Sequence, residues 1–291
     1  MAEAGNTPES PVLDEIYVAA RRVLLDALTA LTPHGDAVIL AGAQAVYLRT
    51  GSADLAVAPY TTDGDLVLNP RLLGDVPELE TGMTAAGFHL QPQAGGHVEP
   101  GIWLTKASAG GEEILVPIDL IVPEGAATGG GRRAARLGVH GDRAARRAVG
   151  LEAALVDNST MTITALNPTD TRSLRTKVAG PAALFVAKAH KLHDRVVSGR
   201  ADRLDDKDAA DVVRLMQTTT PDEVAATLSA LGQDAVAGPP SKNALIYIEE
   251  LFGRRGTPGI EMAARALRAA MPEDRIQTLC VAYVAALLDA G

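Results

Sequence analysis

Aromatic side chains are scarce. Five tyrosines, three phenylalanines and one tryptophan make up 3% of the 291 residues. The core must therefore be built from alanine, valine, leucine and isoleucine. Stacking on rings, the usual platform for single-stranded nucleic acid, is scarcely available. Cysteine is nearly missing: Cys280 stands alone in the apolar run 278-TLCVAYVAALL-288. That excludes a disulfide framework and a cysteine-rich zinc site. Positive charge is in deficit, and the net charge of −9 argues against a generic nucleic-acid-binding surface while leaving local basic patches open. No apolar run approaches the roughly 20 residues of a membrane span. The first residues, MAEAGNTPESPVLDE, are acidic and carry no hydrophobic segment, which predicts no signal peptide. The expectation is a reduced, cytoplasmic protein without membrane contact.

What is present suffices for a substantial core. Hydrophobic residues are 47% of the chain, and its length suits one large domain or two ordinary ones. Ser10-Pro11 followed by Asp14-Glu15 predicts a helix start, with the helix running to about Leu31. The segment 36-DAVILAG-42 reads as a short buried strand, 43-AQAVYLRTG-51 as a helix closed by Gly51, and 64-GDLVLN-69 as a second strand. A helical stretch is expected around 71–86, with strands near 87–92 and 101–107. The run 113-EILVPIDLIVP-123 is the strongest strand signal, apolar enough to be covered on both faces, although Pro117 removes a ladder donor. A glycine-rich loop follows at 124–131. The segment 132–147 carries six arginines and one aspartate, and 151–166 reads as two short strands. From Gly180-Pro181 the pattern becomes helical: 181–198, 206–217, 221–231, 241–253, 258–271 and 274–289. The fold class is α+β, a mixed sheet with flanking helices at 1–175 followed by an all-α half at 176–291.

Chemistry concentrates in 61-TTDGDLVLNP-70. Residues two apart on a strand share a face, so Asp63 and Asp65 would present both carboxylates to one spot. Such charges repel unless a cation lies between them. Magnesium suits that place, since it takes oxygen ligands and usually a few carboxylates plus substrate phosphates. A solvated Asp-Gly turn is the plain alternative. Asp119, inside the apolar IDLIV, strengthens the case, because a buried carboxylate is costly unless protonated, paired with an arginine or bound to metal. Upstream, Gly42-Ala43 joins a strand to a helix whose backbone N–H groups could hold phosphate oxygens.

A glycine turn opening a helix, then D-x-D on the next strand, then a lone Asp on a later strand, resembles the nucleotidyltransferase superfamily of the DNA polymerase β type. Ala43 departs from the usual Gly-Ser or Gly-Gly of that turn; Thr61 and Thr62 could supply the missing hydroxyl. The helical half adds a second pattern. In 181-PAALFVAKAHKLHDRVV-197, Phe185, Ala189, Leu192 and Val196 form one stripe, and Lys188, Lys191 and Arg195 another beside it. In 206-DKDAADVVRLM-216, Asp208 and Asp211 share a face. A K-x-H on one helix with D-x-x-D on the next resembles the AbiEii-like, or MenT-like, nucleotidyltransferase toxins of bacterial toxin–antitoxin systems. An ordinary ion pair between two helices is the competing reading. His190 and His193 read as packing or surface residues, with no matching His/Cys set elsewhere.

The resemblance implies transfer of a nucleoside monophosphate from an NTP to an acceptor hydroxyl, with release of pyrophosphate. It implies Mg2+ or Mn2+ on Asp63, Asp65 and Asp119, a nucleotide held by Gly42, Ala43, Thr61, Thr62 and Lys188, and Asp211 completing the site. Lys191 competes with Lys188 for the lysine's role. It further implies a tRNA 3′ end as acceptor, a toxic effect and a cognate antitoxin as partner. Arg132, Arg133, Arg136, Arg143, Arg146 and Arg147 are the candidate RNA contacts, with an arginine-rich surface loop as the alternative. Transfer to a small molecule or protein, or a non-catalytic nucleotide-binding module, are the rival functions.

Overall fold

Four consecutive apolar residues, Val38–Ala41, form the buried strand β1, and a five-residue strand, Gly64–Leu68 (β2), pairs with it antiparallel. The computed structural model describes residues 15–51, 61–129, 133–199 and 206–291. The other strands are His89–Pro92 (β3), Val98–Ala109 (β4), Glu112–Pro123 (β5), Arg146–Ala148 (β6), Asn158–Thr164 (β7) and Ser173–Ala179 (β8). They make one mixed sheet in the order β3-β4-β5-β2-β1-β8-β7, with β6 added beside β5. β2 runs parallel to β5, and β1 parallel to β8. β5 is the long central strand. Burial alternates along its middle, and its last four residues, Leu120 through Pro123, are buried as a block.

Helices α1 (Glu15–Ala30) and α2 (Gly42–Thr50) belong to the sheet half, with the short α3 (Leu79–Ala85) between β2 and β3. α1 carries Leu24, Leu25 and Leu28 into the core and packs on β2, β4, β5 and β8. α2 packs on β1 and β2 and touches the helical half as well. That half comprises α4 (Pro181–Val197), α5 (Asp206–Thr218), α6 (Pro221–Leu231), α7 (Gly238–Phe252), α8 (Pro258–Leu267) and α9 (Glu273–Asp289). Each of these places a proline or an acidic residue in its first turn, as helix starts favour. Among the described residues, no helix is long and apolar enough to cross a membrane.

Several elements differ from expectation. β6 and β8 arise where no strand was expected. β8 spans the expected boundary at 175/176, and the helices begin at Pro181. The expected helix over 71–86 is confined to α3, because Pro70 and Pro77 interrupt the segment before it. Of the two strands expected in 151–166 only β7 forms; Glu152–Leu155 is a single 3-10 turn. Residues 10–14 of the first expected helix lie outside the described residues.

Candidate functional site

The parallel pairing of β2 with β5 puts Asp65 directly beside Asp119. On the other side of β2, β1 sets Ala41 opposite Asp65, and α2 begins at the next residue. Gly42 has a φ of +65°, and a methyl group there would overlap the Asp65 carboxylate. Only glycine lets the first turn of α2 lie against this acid. Ala43, behind it, is buried.

Asp63 precedes β2 and is held from two sides. Thr61 is fully buried and donates its hydroxyl to the Asp63 carboxylate. Gln44 of α2 donates to the Asp63 carbonyl at 3.1 Å and is itself held by Arg21 Nε at 2.8 Å. Arg21, on α1, also donates to the Tyr17 hydroxyl at 2.9 Å. Thus a buried polar chain from α1 through α2 fixes the segment carrying Asp63. The sequence reading missed Arg21 and Gln44; the available signal was an arginine within the apolar stripe of α1. Thr62 is exposed.

Asp119 has a partner that was not anticipated. Arg146 of β6 reaches it with Nη2 at 2.6 Å and Nε at 3.2 Å. β6 extends the edge of β5 just past the point where β4 leaves it, with Ile121 opposite Arg146. Gly101 permits this close approach, since any side chain there would strike the backbone of Arg146 and Leu120. Arg146 was expected as an RNA contact; its position in the strand beside Asp119 turns it into the site instead.

Burial, followed by the charges of Asp63 and Asp119, lifts Asp65 to about 6, with Lys191 and Arg146 working against the rise. Burial also raises Asp119, opposed by Arg146. Desolvation weakens the Arg146 charge, but Asp119 more than offsets it and raises the guanidinium's pKa. Among the described residues, no three His, Cys, Asp or Glu side chains are gathered closely enough to hold a metal ion. Asp63 is engaged by Thr61 and Asp119 by Arg146. What remains is a register-paired couple, Asp65 and Asp119, with Asp63 near enough for its charge to raise both.

The two candidate lysines are placed differently. Lys188 is buried and donates to Asp208 and Asp211, each at 2.6 Å. Burial alone would lower its pKa, but the two carboxylates raise it, so the ammonium stays charged. Asp208 is fully enclosed and also takes Arg195 at 2.5 Å and Lys191 at 3.1 Å. Burial opposes its charge, yet the cations led by Lys188 hold its pKa far below the carboxylate range. Lys188 and Asp211 therefore tie α4 to α5, which matches the competing ion-pair reading. Lys191 is 42% exposed, and its charge acts on both Asp65 and Asp119. Of the two, Lys191 is the one whose charge reaches Asp65 and Asp119, while its ammonium pairs with Asp208.

A cleft of about 620 Å3 opens between the sheet edge and α4. Gly42, Asp65 and Arg146 line one end, and Lys188 and Lys191 lie along its wall. His193, Asp194, Tyr247, Val149 and Val197 are among the residues that line the remainder. His190 binds the Pro240 carbonyl at 2.8 Å, and the His193 ring stacks on Tyr247. The other arginines of the basic segment face carboxylates: Arg133 meets Glu99, Arg143 meets Glu80 and Arg147 meets Glu124. Arg136 is exposed, and Arg132 lies outside the described residues.

No protein-family profile matches this chain, and no curated protein matches it. Among solved structures, two chains from Helicobacter pylori align with it. The crystal structure of JHP933 is 12% identical, with a TM-score of 0.45, covering 96% of this chain and 94% of that one. A provisionally assigned nucleotidyltransferase is 11% identical, with a TM-score of 0.44, covering 96% and 97%. Both similarities are too distant to assign a site or an activity.

Proposed function

We propose that the cleft is the active site of a nucleotidyltransferase that moves a nucleoside monophosphate from an NTP to an acceptor hydroxyl. The observation that supports this most is the in-register couple of Asp65 and Asp119, set against the glycine start of α2 and overlooked by Lys191 and Arg146. The donor set fits Mg2+. It consists of hard carboxylate oxygens; burial, followed by the charges of Asp63 and Asp119, lifts Asp65 to about 6, and a divalent cation would offset both. Two carboxylates suffice, because Mg2+ commonly completes its shell with substrate phosphates and water. Asp65 and Asp63 would hold the ion, with Asp119 beside them. When bound, Mg2+ neutralises charge on the phosphates and polarises them toward attack.

The protein's own groups supply positioning and electrostatics, the main needs of phosphoryl-type transfer. Lys191 and Arg146 hold the phosphate oxygens. Asp119, its pKa raised by burial, takes the proton as the acceptor oxygen bonds to the α-phosphorus. The bond from that phosphorus to the bridging oxygen breaks, and pyrophosphate leaves. Lys188 and Asp211 act at one remove by fixing α4, which carries Lys191. As the more specific reading, the acceptor is a tRNA 3′ end, the effect is toxic as in AbiEii-like systems, and a cognate antitoxin is the protein partner.

Incubating the full chain with Mg2+ and α-labelled NTPs, alongside total tRNA, total protein or aminoglycosides, tests this reading. Label on tRNA is the expected result, and it should vanish with Asp65→Asn. Label only on a protein or small molecule would keep the chemistry and change the acceptor. The Asp119–Arg146 ion pair favours a second reading, a nucleotide-binding module without turnover, with the acid serving structure. Mg-NTP binding with no transfer to any acceptor would select it.

A further inference from the structure

The polar end of the cleft accounts for less than half of its lining. The other end combines apolar and aromatic side chains with His193 and Asp194, in a chain with only nine aromatic residues apart from histidine, as its five tyrosines, three phenylalanines and one tryptophan show. Tyr247 of α7 is half-buried, and its ring is stacked on His193 of α4, centroids 3.7 Å apart and planes 12° from parallel. His190 meets the same tyrosine edge-on at 5.1 Å, which holds the ring at a fixed angle. Val149 and Val197, also on the cleft, are 57% and 69% exposed. Apolar side chains left that open on the same cleft as a stacked ring pair offer a surface to something flat and weakly polar. The cleft thus has a charged end at Gly42, Asp65, Arg146 and Lys191, continuous with an end of ring and apolar side chains.

We propose that the His193–Tyr247 stack and Val149 form the subsite for the nucleobase of the bound nucleotide. This rests on the reading of the cleft as a nucleotide site. The subsite holds the base by ring stacking and apolar contact, forces that act on every base because each has a π-face. Its recognition is therefore tolerant of base identity.

The test separates base from phosphate. Binding of Mg-NTP and of Mg-tripolyphosphate to the full chain is measured by calorimetry for wild type, Tyr247→Ala, Tyr247→Phe and His193→Ala. Tyr247→Ala should weaken each NTP about tenfold, the loss of a single stacking contact. It should leave tripolyphosphate unchanged, and Tyr247→Phe should recover most of the NTP affinity. The proposal fails if Tyr247→Ala and His193→Ala bind NTP as wild type does. It fails also if tripolyphosphate is lost in parallel, since the rings would then be supporting the fold. Wild-type protein that binds neither ligand overturns the nucleotide reading itself and this subsite with it. Wild-type protein that binds tripolyphosphate as tightly as NTP overturns the base subsite alone.

Discussion

Asp65 is the residue on which charge, packing and chemistry meet. Its ordinary pKa of 3.8 is lifted to about 6 in the fold. Between those values the folded state binds more protons than the unfolded state. The contribution of Asp65 to stability, without divalent cations, should therefore fall as the pH rises from about 4 through about 6, by on the order of 2 kcal/mol. Asp65→Asn should remove that fall and melt above wild type at neutral pH; denaturant curves across this range, in EDTA, check both. Gly42 supplies the complementary test. Gly42→Ala combines a positive φ with a carboxylate collision. It should cost at least about 1 kcal/mol in stability and displace Asp65, so that transfer falls far more than a thermal melt would suggest. A variant with normal transfer would show that the α2 turn does not set the acid.

At the scale of elements, α4 carries two lysines with different tasks. Lys188→Met should leave Asp208 and Asp211 without their buried ammonium and destabilise the fold by about 3–5 kcal/mol. Lys191→Ala should cost less stability than Lys188→Met, because its side chain is 42% exposed and Asp208 keeps Lys188 and Arg195, yet reduce transfer strongly. Paired urea titrations and transfer rates distinguish the roles; equal behaviour of both variants would contradict them. The sequence could not separate these lysines. They lie three residues apart on one helix and both reach Asp208 of α5; which of them is buried there depends on how the helices dock. The same limit hid Arg146. Its strand is only three residues long and reads Arg-Arg-Ala, so nothing apolar marks it, and its partner Asp119 is 27 positions away. By contrast β1, β2 and β5 were legible because they are apolar runs, and the six helices after Pro181 were legible through their periodicity and starts. β8 was missed because SLRTKVA mixes two basic residues into its alternation.

For the molecule as a whole, the mixed sheet provides the acids and Arg146, and the helical half provides Lys191, with α2 touching both. The net charge of −9 and the carboxylate partners of Arg133, Arg143 and Arg147 leave little free basic surface in that segment, so any RNA contact there must compete with existing ion pairs. The central claim is that Asp65 and its neighbours form a metal-dependent nucleotide pocket. Equilibrium dialysis of labelled NTP against the full chain measures it directly, with Mg2+, with EDTA, and with Asp65→Asn. The account predicts saturable binding of one nucleotide per chain that EDTA and Asp65→Asn each abolish. Binding that is absent in wild type, or that survives both treatments unchanged, would contradict it.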